Sequence, residues 1–399
     1  MANKRSLLLF SLLLFSSLLA PLAAQPEVHP DSTVTFRLDA PKAKNVSVVS
    51  DCLLLKPDNS AFGGKTRQEP MSPDSAGIWT YTTLPLQPEV YLYRFIVDGV
   101  WKEDPVNPDS AYILLHKESV VAVGGDSLHD LFLEPQAGFP RGRLDTLEYY
   151  DSIQRLPRRI LAYIPPSPLN SPHGVIVPLV GKELSTLNPP LPVLYLLHGI
   201  SGDEATWLEQ GRVRQVMDNM LAQGLVRPMI VVMPDCNVPN KLEPKKRTNM
   251  LRNVFNYPVL RRGDFEDAFP GMHHFVCEHY GISPHQKDHF IAGLSSGAMQ
   301  AANIVREHPS SFAKVGLFSP AWMQQKRISK QTGKAVIAEE GFPPVYLLAY
   351  GQNDLFYKDG QRFAKQLQKA GFECTPYESS GGHTWRSWRE YLVAFLRTL

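Results

Sequence analysis

Four near-continuous apolar runs constrain the fold of this chain more than any other feature: Val193-Leu-Tyr-Leu-Leu197, Met229-Ile-Val-Val-Met233, Phe290-Ile-Ala292 and Val345-Tyr-Leu-Leu-Ala349. A strand that is apolar at every position has no solvent face, so it must sit in a sheet covered on both sides. The text between the runs supplies the cover. Gly211 to Gln223, Phe265 to His279, Gly297 to His308 and Gly360 to Ala370 carry helical periodicity. Alternating β and α units predict an α/β fold with a doubly wound sheet over residues 136–399.

The stretch before it reads differently. Over residues 25–135, Val34-Thr-Phe-Arg-Leu38, Val46-Ser-Val-Val49, Trp79-Thr-Tyr81 and Tyr91-Leu-Tyr-Arg-Phe-Ile-Val97 are short strands. Turn formers such as Pro73-Asp-Ser-Ala-Gly77 and Asp98-Gly99 separate them, which predicts a small immunoglobulin-like β-sandwich. Before that, Lys4 and Arg5 precede an apolar run from Leu7 to Ala20 and small residues at Ala23 and Ala24. This is the layout of an export signal over residues 1–24, cleaved after Ala24, so the expected location is periplasmic or secreted. The run is short for a spanning helix, and no membrane attachment is expected after cleavage.

The chain holds 41 Lys and Arg against 39 Asp and Glu, and loss of Lys4 and Arg5 balances them. A balanced chain has no overall field to gather nucleic acid, and Lys245-Lys246-Arg247 reads as a solvated loop. Cys52, Cys236, Cys277 and Cys374 are too widely spaced for a disulfide framework or a zinc pattern, which leaves one disulfide or free thiols open. No set of His, Asp and Glu at ligand spacing suggests a metal, and no cofactor is expected. The sequence sets no oligomeric state.

The strand Phe290–Ala292 runs into Gly293-Leu-Ser295-Ser-Gly297 and then a helix. G-x-S-x-G between strand and helix lifts a serine hydroxyl above a sheet, with glycines where neighbouring backbone comes close. Ser296 is the rival nucleophile, but the motif frame puts Ser295 at the apex. A hydroxyl needs a base, and only His308 and His383 follow. His308 falls in the next helix. His383 falls in the glycine-rich loop Ser379-Ser-Gly-Gly-His-Thr-Trp385, before the last helix, and is the expected base. Its orienting acid is Asp354, just past a strand in Gly351-Gln-Asn-Asp354; the alternative, Asp359, would cap a helix. Backbone N–H groups of Ser296 and of Ile200, in Leu196-Leu-His-Gly-Ile200, are the expected oxyanion donors, with His198 supporting that loop. Trp207, Trp322 and Trp385 are available to line a pocket for a flat acyl group; Trp79 and Trp101 belong to the sandwich.

Leu194 to Ile200, Pro228 to Pro234, Ile291 to Gly297 and Gly381 to Trp385 together resemble the esterase D-like α/β-hydrolases, and within them the feruloyl esterases of carbohydrate esterase family 1. The resemblance spans Leu144 to Leu399. Arg94-Phe-Ile-Val-Asp-Gly99 and Asp104-Pro-Val-Asn-Pro108 resemble the E-set, or family-48 carbohydrate-binding, sandwich found before such esterases. It implies hydrolysis of ferulate or p-coumarate esters on feruloylated xylan or xylo-oligosaccharide. Acetylxylan esterase, ferric-siderophore esterase and an inactive glycan-binding protein are the alternatives. Two features depart from the family: Ser296-Gly297-Ala298 stands where Met-Gly-Gly is common, and a proline-rich insertion runs from Pro165 to Pro190.

Overall fold

A computed structural model describes residues 26–53, 67–113, 116–135, 138–166, 190–200, 202–237, 264–320 and 342–399. The expected export signal, most of the proline-rich insertion, Lys245 to Arg247 and Trp322 lie outside them.

The first ten strands build two facing sheets. One has the order β1 (Glu27–Val28), β2 (Val34–Asp39), β6 (Ile78–Thr82), β5 (Ser72–Pro73). The other has the order β4 (Arg67–Pro70), β3 (Val46–Ser50), β7 (Glu89–Val97), β10 (His116–Val123), β9 (Ser110–Ile113), with β8 (Val100–Lys102) paired to β7. Alternation decides what goes between them. Val34, Phe36 and Leu38 of β2 meet Val46 and Val48 of β3 and Tyr91, Tyr93 and Phe95 of β7. The Asp104-Pro-Val-Asn107 turn closes inward: the Tyr93 hydroxyl donates to Asp104 Oδ2 at 2.7 Å, and Asn107 Nδ2 donates to the Tyr93 oxygen at 2.9 Å. These residues tie the sandwich together rather than facing solvent. Trp79 is buried, and Trp101 is exposed but carries the Arg94 guanidinium over its ring at 3.5 Å.

The eight-stranded sheet has the order β11 (Arg143–Asp151), β12 (Leu156–Ile164), β14 (Ile230–Pro234), β13 (Val193–Leu197), β15 (His289–Leu294), β16 (Lys314–Phe318), β17 (Val345–Gly351), β18 (Cys374–Ser379). β11, β12 and β14 pair antiparallel, and every pairing from β14 onward is parallel. Period two sorts the side chains onto two faces. Val193, Tyr195 and Leu197 of β13 pack with Ile291, Val315, Leu317 and Leu348 under helices α3 (Asp264–Tyr280), α4 (Ser296–Glu307) and α5 (Tyr357–Ala370). Leu194, Leu196, Phe290, Ala292, Leu294 and Leu347 face the other way, onto α2 (Val213–Ala222) and α6 (Trp385–Leu396), with the short α1 (Thr206–Glu209) beside them.

That second face is shared with the sandwich. Val90, Ala111 and Val120 join the same apolar cluster, together with Leu131 and Phe132 of the connecting turn. Buried polar pairs cross the seam. Arg389 of α6 donates to Glu89 of β7 at 2.7 Å and to Gln210 O at 2.9 Å, and Arg386 reaches the other Glu89 oxygen at 2.8 Å. Arg212 donates through Nε to Phe132 O at 2.7 Å and through Nη1 to Asp109 at 2.5 Å. All four cysteines are free thiols. No helix among the described residues is long and apolar enough to cross a membrane.

Candidate active site

Ser295 stands between the end of β15 and the start of α4 with φ 52° and ψ −115°. A non-glycine residue in so sparsely populated a region costs about 1–3 kcal/mol, so its surroundings must hold it there. The Ser295 N–H donates to Phe318 O of β16 at 2.8 Å. A Cβ on Gly293 would overlap the Gly297 backbone, and one on Gly297 would overlap the Leu197 and His198 carbonyls. The two motif glycines are there because the turn packs backbone against backbone.

His383 arrives from the loop between β18 and α6. Its Nε2 lies 3.0 Å from Ser295 Oγ, and its Nδ1 lies 3.1 and 3.2 Å from the two Asp354 oxygens. Trp388 and Phe356 meet the imidazole ring edge-on, with centroids 4.9 and 5.2 Å away. The loops carrying acid and base are stitched together: Gln352 N–H donates to Ser379 O at 2.8 Å and Asn353 N–H to Gly381 O at 3.0 Å. Gly351 and Gly381 permit that approach, since a Cβ on Gly351 would overlap the Gly381 carbonyl.

Asp354 is buried, and burial alone would raise its pKa. The hydrogen bonds and charge of His383, with further hydrogen bonds from the Ser319 hydroxyl and the Phe356 N–H, outweigh burial and hold the carboxyl below its ordinary value. Ser319 is the residue that sequence reasoning missed. It follows β16 with φ 48°, is fully buried, and its Oγ accepts the Trp388 Nε1–H at 3.1 Å while hydrogen-bonding Asp354. The only textual signal was its place directly after a strand of the sheet.

The Gly199–Ile200 turn lies against the serine. A Cβ on Gly199 would fall 2.6 Å from Leu294 Cδ1 and 3.5 Å from Ser295 Cβ, so the peptide leading to Ile200 borders Ser295 directly. His198 fixes this turn, as its sequence position suggested: its Nδ1 donates to Gly199 O at 2.7 Å and its Nε2 accepts the Cys236 N–H at 3.0 Å. Asn237 Nδ2 donates to Gly202 O at 2.8 Å from the far side. Ser296 opens α4, where a first-turn N–H has no partner within the helix and the helix dipole favours negative charge.

The structure thus gathers Ser295, His383 and Asp354 with the Ile200 and Ser296 peptides. It leaves His308 at the far end of α4, and Asp359 in the first turn of α5 pairing with Arg362. Trp207 is core, donating its Nε1–H to Leu197 O at 3.0 Å; Trp385 is partly buried and meets it edge-on. An imidazole bridging a hydroxyl and a carboxylate can take the hydroxyl proton while the carboxylate stabilises the resulting cation.

The family model named Esterase matches residues 182–399, more than half of the chain. The chain belongs to the esterase family. This esterase is 24% identical over 383 residues to an endo-1,4-beta-xylanase/feruloyl esterase of Xylanibacter ruminicola. That alignment covers 94% of the chain but 46% of the relative, so the chain spans about half the relative's length. Among solved structures, the enterobactin esterase of Shigella flexneri superposes with a TM-score of 0.56 at 17% identity over 92% of each chain. A ferulic acid esterase from the anaerobic fungus Anaeromyces mucronatus gives 0.53 at 20% identity, over 67% of this chain and 94% of that one. The fold is that of the α/β-hydrolases behind an N-terminal β region.

Proposed function

We propose that this esterase is an exported enzyme that hydrolyses hydroxycinnamate esters on xylan-type polysaccharide through an acyl-enzyme. The observation that carries the ester chemistry is the continuous contact from Ser295 Oγ through His383 to Asp354, at 3.0 and 3.1 Å. His383 takes the Ser295 proton as Oγ attacks the ester carbonyl. The N–H groups of Ile200 and Ser296 receive the charge that develops on the carbonyl oxygen. His383 then gives the proton to the departing sugar alkoxide, and water repeats the cycle to free the acid. Asp354 holds the imidazole in the required tautomer and balances its charge.

The substrate rests on likeness to the xylanase/feruloyl esterase across 94% of the chain. The decisive experiment measures ferulate, and separately acetate, released from feruloylated and acetylated arabinoxylan, with Ser295→Ala as control. Ferulate release lost in Ser295→Ala is the expected result. Acetate without ferulate would overturn the acyl assignment and leave the mechanism standing. A siderophore esterase is the second reading, favoured because the enterobactin esterase matches both the sandwich and the hydrolase region. Hydrolysis of ferric enterobactin, with neither ferulate nor acetate released, would replace the xylan reading with that one.

A further inference from the structure

His273 and Cys277 stand one turn apart on the same face of α3, and His289 begins the neighbouring strand β15. One ligand atom from each lies within 4.8 Å of the other two. Cys277 Sγ is 3.7 Å from His273 Nε2, and the two imidazole centroids are 5.1 Å apart. Sulfur and nitrogen bound at about 2.3 and 2.0–2.1 Å to one tetrahedral ion stand roughly 3.6 Å apart. The Cys277–His273 spacing already matches this, and the trio as a whole, within 4.8 Å, would close by about 1 Å around an ion.

The hydrogen bonds around the trio engage one nitrogen of each imidazole and leave the other available to a ligand. His289 Nε2 donates to Ser283 O at 2.5 Å, which leaves Nδ1, in a residue 5% exposed, with no partner among the described residues. His273 Nδ1 lies 2.8 Å from the Tyr195 hydroxyl, so its other nitrogen, Nε2, is the one directed at Cys277. Tyr195 also hydrogen-bonds Cys277, so one buried phenol can accept the His273 N–H and donate to the sulfur. Anchoring the outer nitrogen of each imidazole is how proteins fix the orientation of metal-binding histidines. A lone unsatisfied buried nitrogen is costly in any other role.

We infer that His273, Cys277 and His289 form a binding site for one thiophilic d10 metal cation of the zinc(II) or copper(I) class. Thiolate with two imidazoles is the donor set such ions prefer over magnesium or calcium. As the metal–sulfur bond forms, the S–H bond breaks and its proton leaves to the buffer. His289 opens the strand that leads to Ser295, six residues and roughly 20 Å away at about 3.3 Å per residue. The ion would brace α3 against the sheet and take no part in the chemistry at Ser295.

The test uses the full chain, reduced and stripped of metal. Cobalt(II) is titrated in and the near-ultraviolet thiolate-to-cobalt band recorded. Zinc(II), and in a separate anaerobic arm copper(I), is then competed against a chromophoric chelator. One equivalent per chain is expected in the cobalt titration and in at least one competition arm. The band should vanish in Cys277→Ser and persist in Cys52→Ser, Cys236→Ser and Cys374→Ser. Tyr195→Phe, which keeps the ring and removes the phenol, should weaken binding about 10–100-fold. Fluorophosphonate labelling of Ser295 checks that each variant is folded, and His289→Gln serves if Cys277→Ser is not. Folded wild type that takes up none of these ions stoichiometrically, or a band that survives Cys277→Ser, would overturn the assignment.

Discussion

Removing the carboxylate of Glu89 tests whether sandwich and hydrolase are one cooperative structure. Glu89 is 3% exposed and meets Arg389, whose side chain is 6% exposed, and Arg386, whose side chain is 53% exposed. Burial pulls the Arg389 pKa down, and Glu89 opposes that pull. Glu89→Gln keeps the volume but strands a buried guanidinium. Breaking one side of a buried pair costs about 3–5 kcal/mol. The half-exposed Arg386 adds at most about 1 kcal/mol. At roughly 2 °C per kcal/mol for a large domain, the main effect is a fall in Tm of about 6–10 °C. Thermal and urea unfolding would be followed by tryptophan fluorescence and, in parallel, by fluorophosphonate labelling of Ser295, so that both regions are read. The double variant Glu89→Leu with Arg389→Met should recover much of the loss, since an apolar pair of similar size has no charge left to satisfy. A Glu89→Gln protein within about 1 kcal/mol of wild type, or a double variant no better than the single, would refute the argument.

Three further outcomes follow from the site. Ser319→Ala removes a hydrogen bond to a charged carboxylate, worth about 1.5–3 kcal/mol, so kcat on a 4-nitrophenyl ester should fall about 10–100-fold with KM little changed; an unaltered kcat would dismiss Ser319 as a positioning residue. Gly351→Ala should force the acid and base loops apart, lowering kcat at least ~100-fold even in protein that still melts cooperatively, because its Cβ meets the Gly381 carbonyl, which belongs to rigid backbone. The Asp354 carboxyl is held below its ordinary value of 3.8, so its ionised form contributes stability that is present above pH ~4 and lost as pH falls through the lowered folded value. Stability of wild type relative to Asp354→Asn should therefore shrink on acidification below pH 4; a pH-independent difference would contradict the lowered pKa.

The parts of the fold legible in the text were those where burial leaves no choice. β13, β14, β15 and β17 are covered on both faces, so nearly every position had to be apolar, with His289 at the start of β15 the exception. β11 and β12 were harder to see because the edge pair alternates buried with exposed positions and carries Arg143, Asp145, Glu148, Arg158 and Arg159. β16 is short and interrupted by Gly316, which sits where a Cβ would crowd Ala292 and Phe318. The site was legible where chain order and motif frame fix roles, as at Ser295, Asp354 and His383. It was not legible where a role depends on a hydroxyl aimed across the sheet, as at Ser319, or on partners 300 residues apart, as at Glu89 and Arg389. The His273–Cys277 spacing is visible in the helix text, but only the sheet brings His289 to it.

The shared cluster between Val90, Val120 and Phe132 on one side and Met217, Met220, Tyr391 and Leu392 on the other changes what the change of pattern near residue 136 means. It marks where the text switches from one architecture to another, yet it is a poor place to cut. A hydrolase excised there would present α2 and α6 to water with their apolar stripe uncovered and with Arg212 and Arg389 stripped of their carboxylates. Such a fragment should associate with itself or unfold rather than work as a minimal enzyme. For this chain, the unit that can be transplanted, shortened or fused is the pair of domains, and a linker belongs outside both.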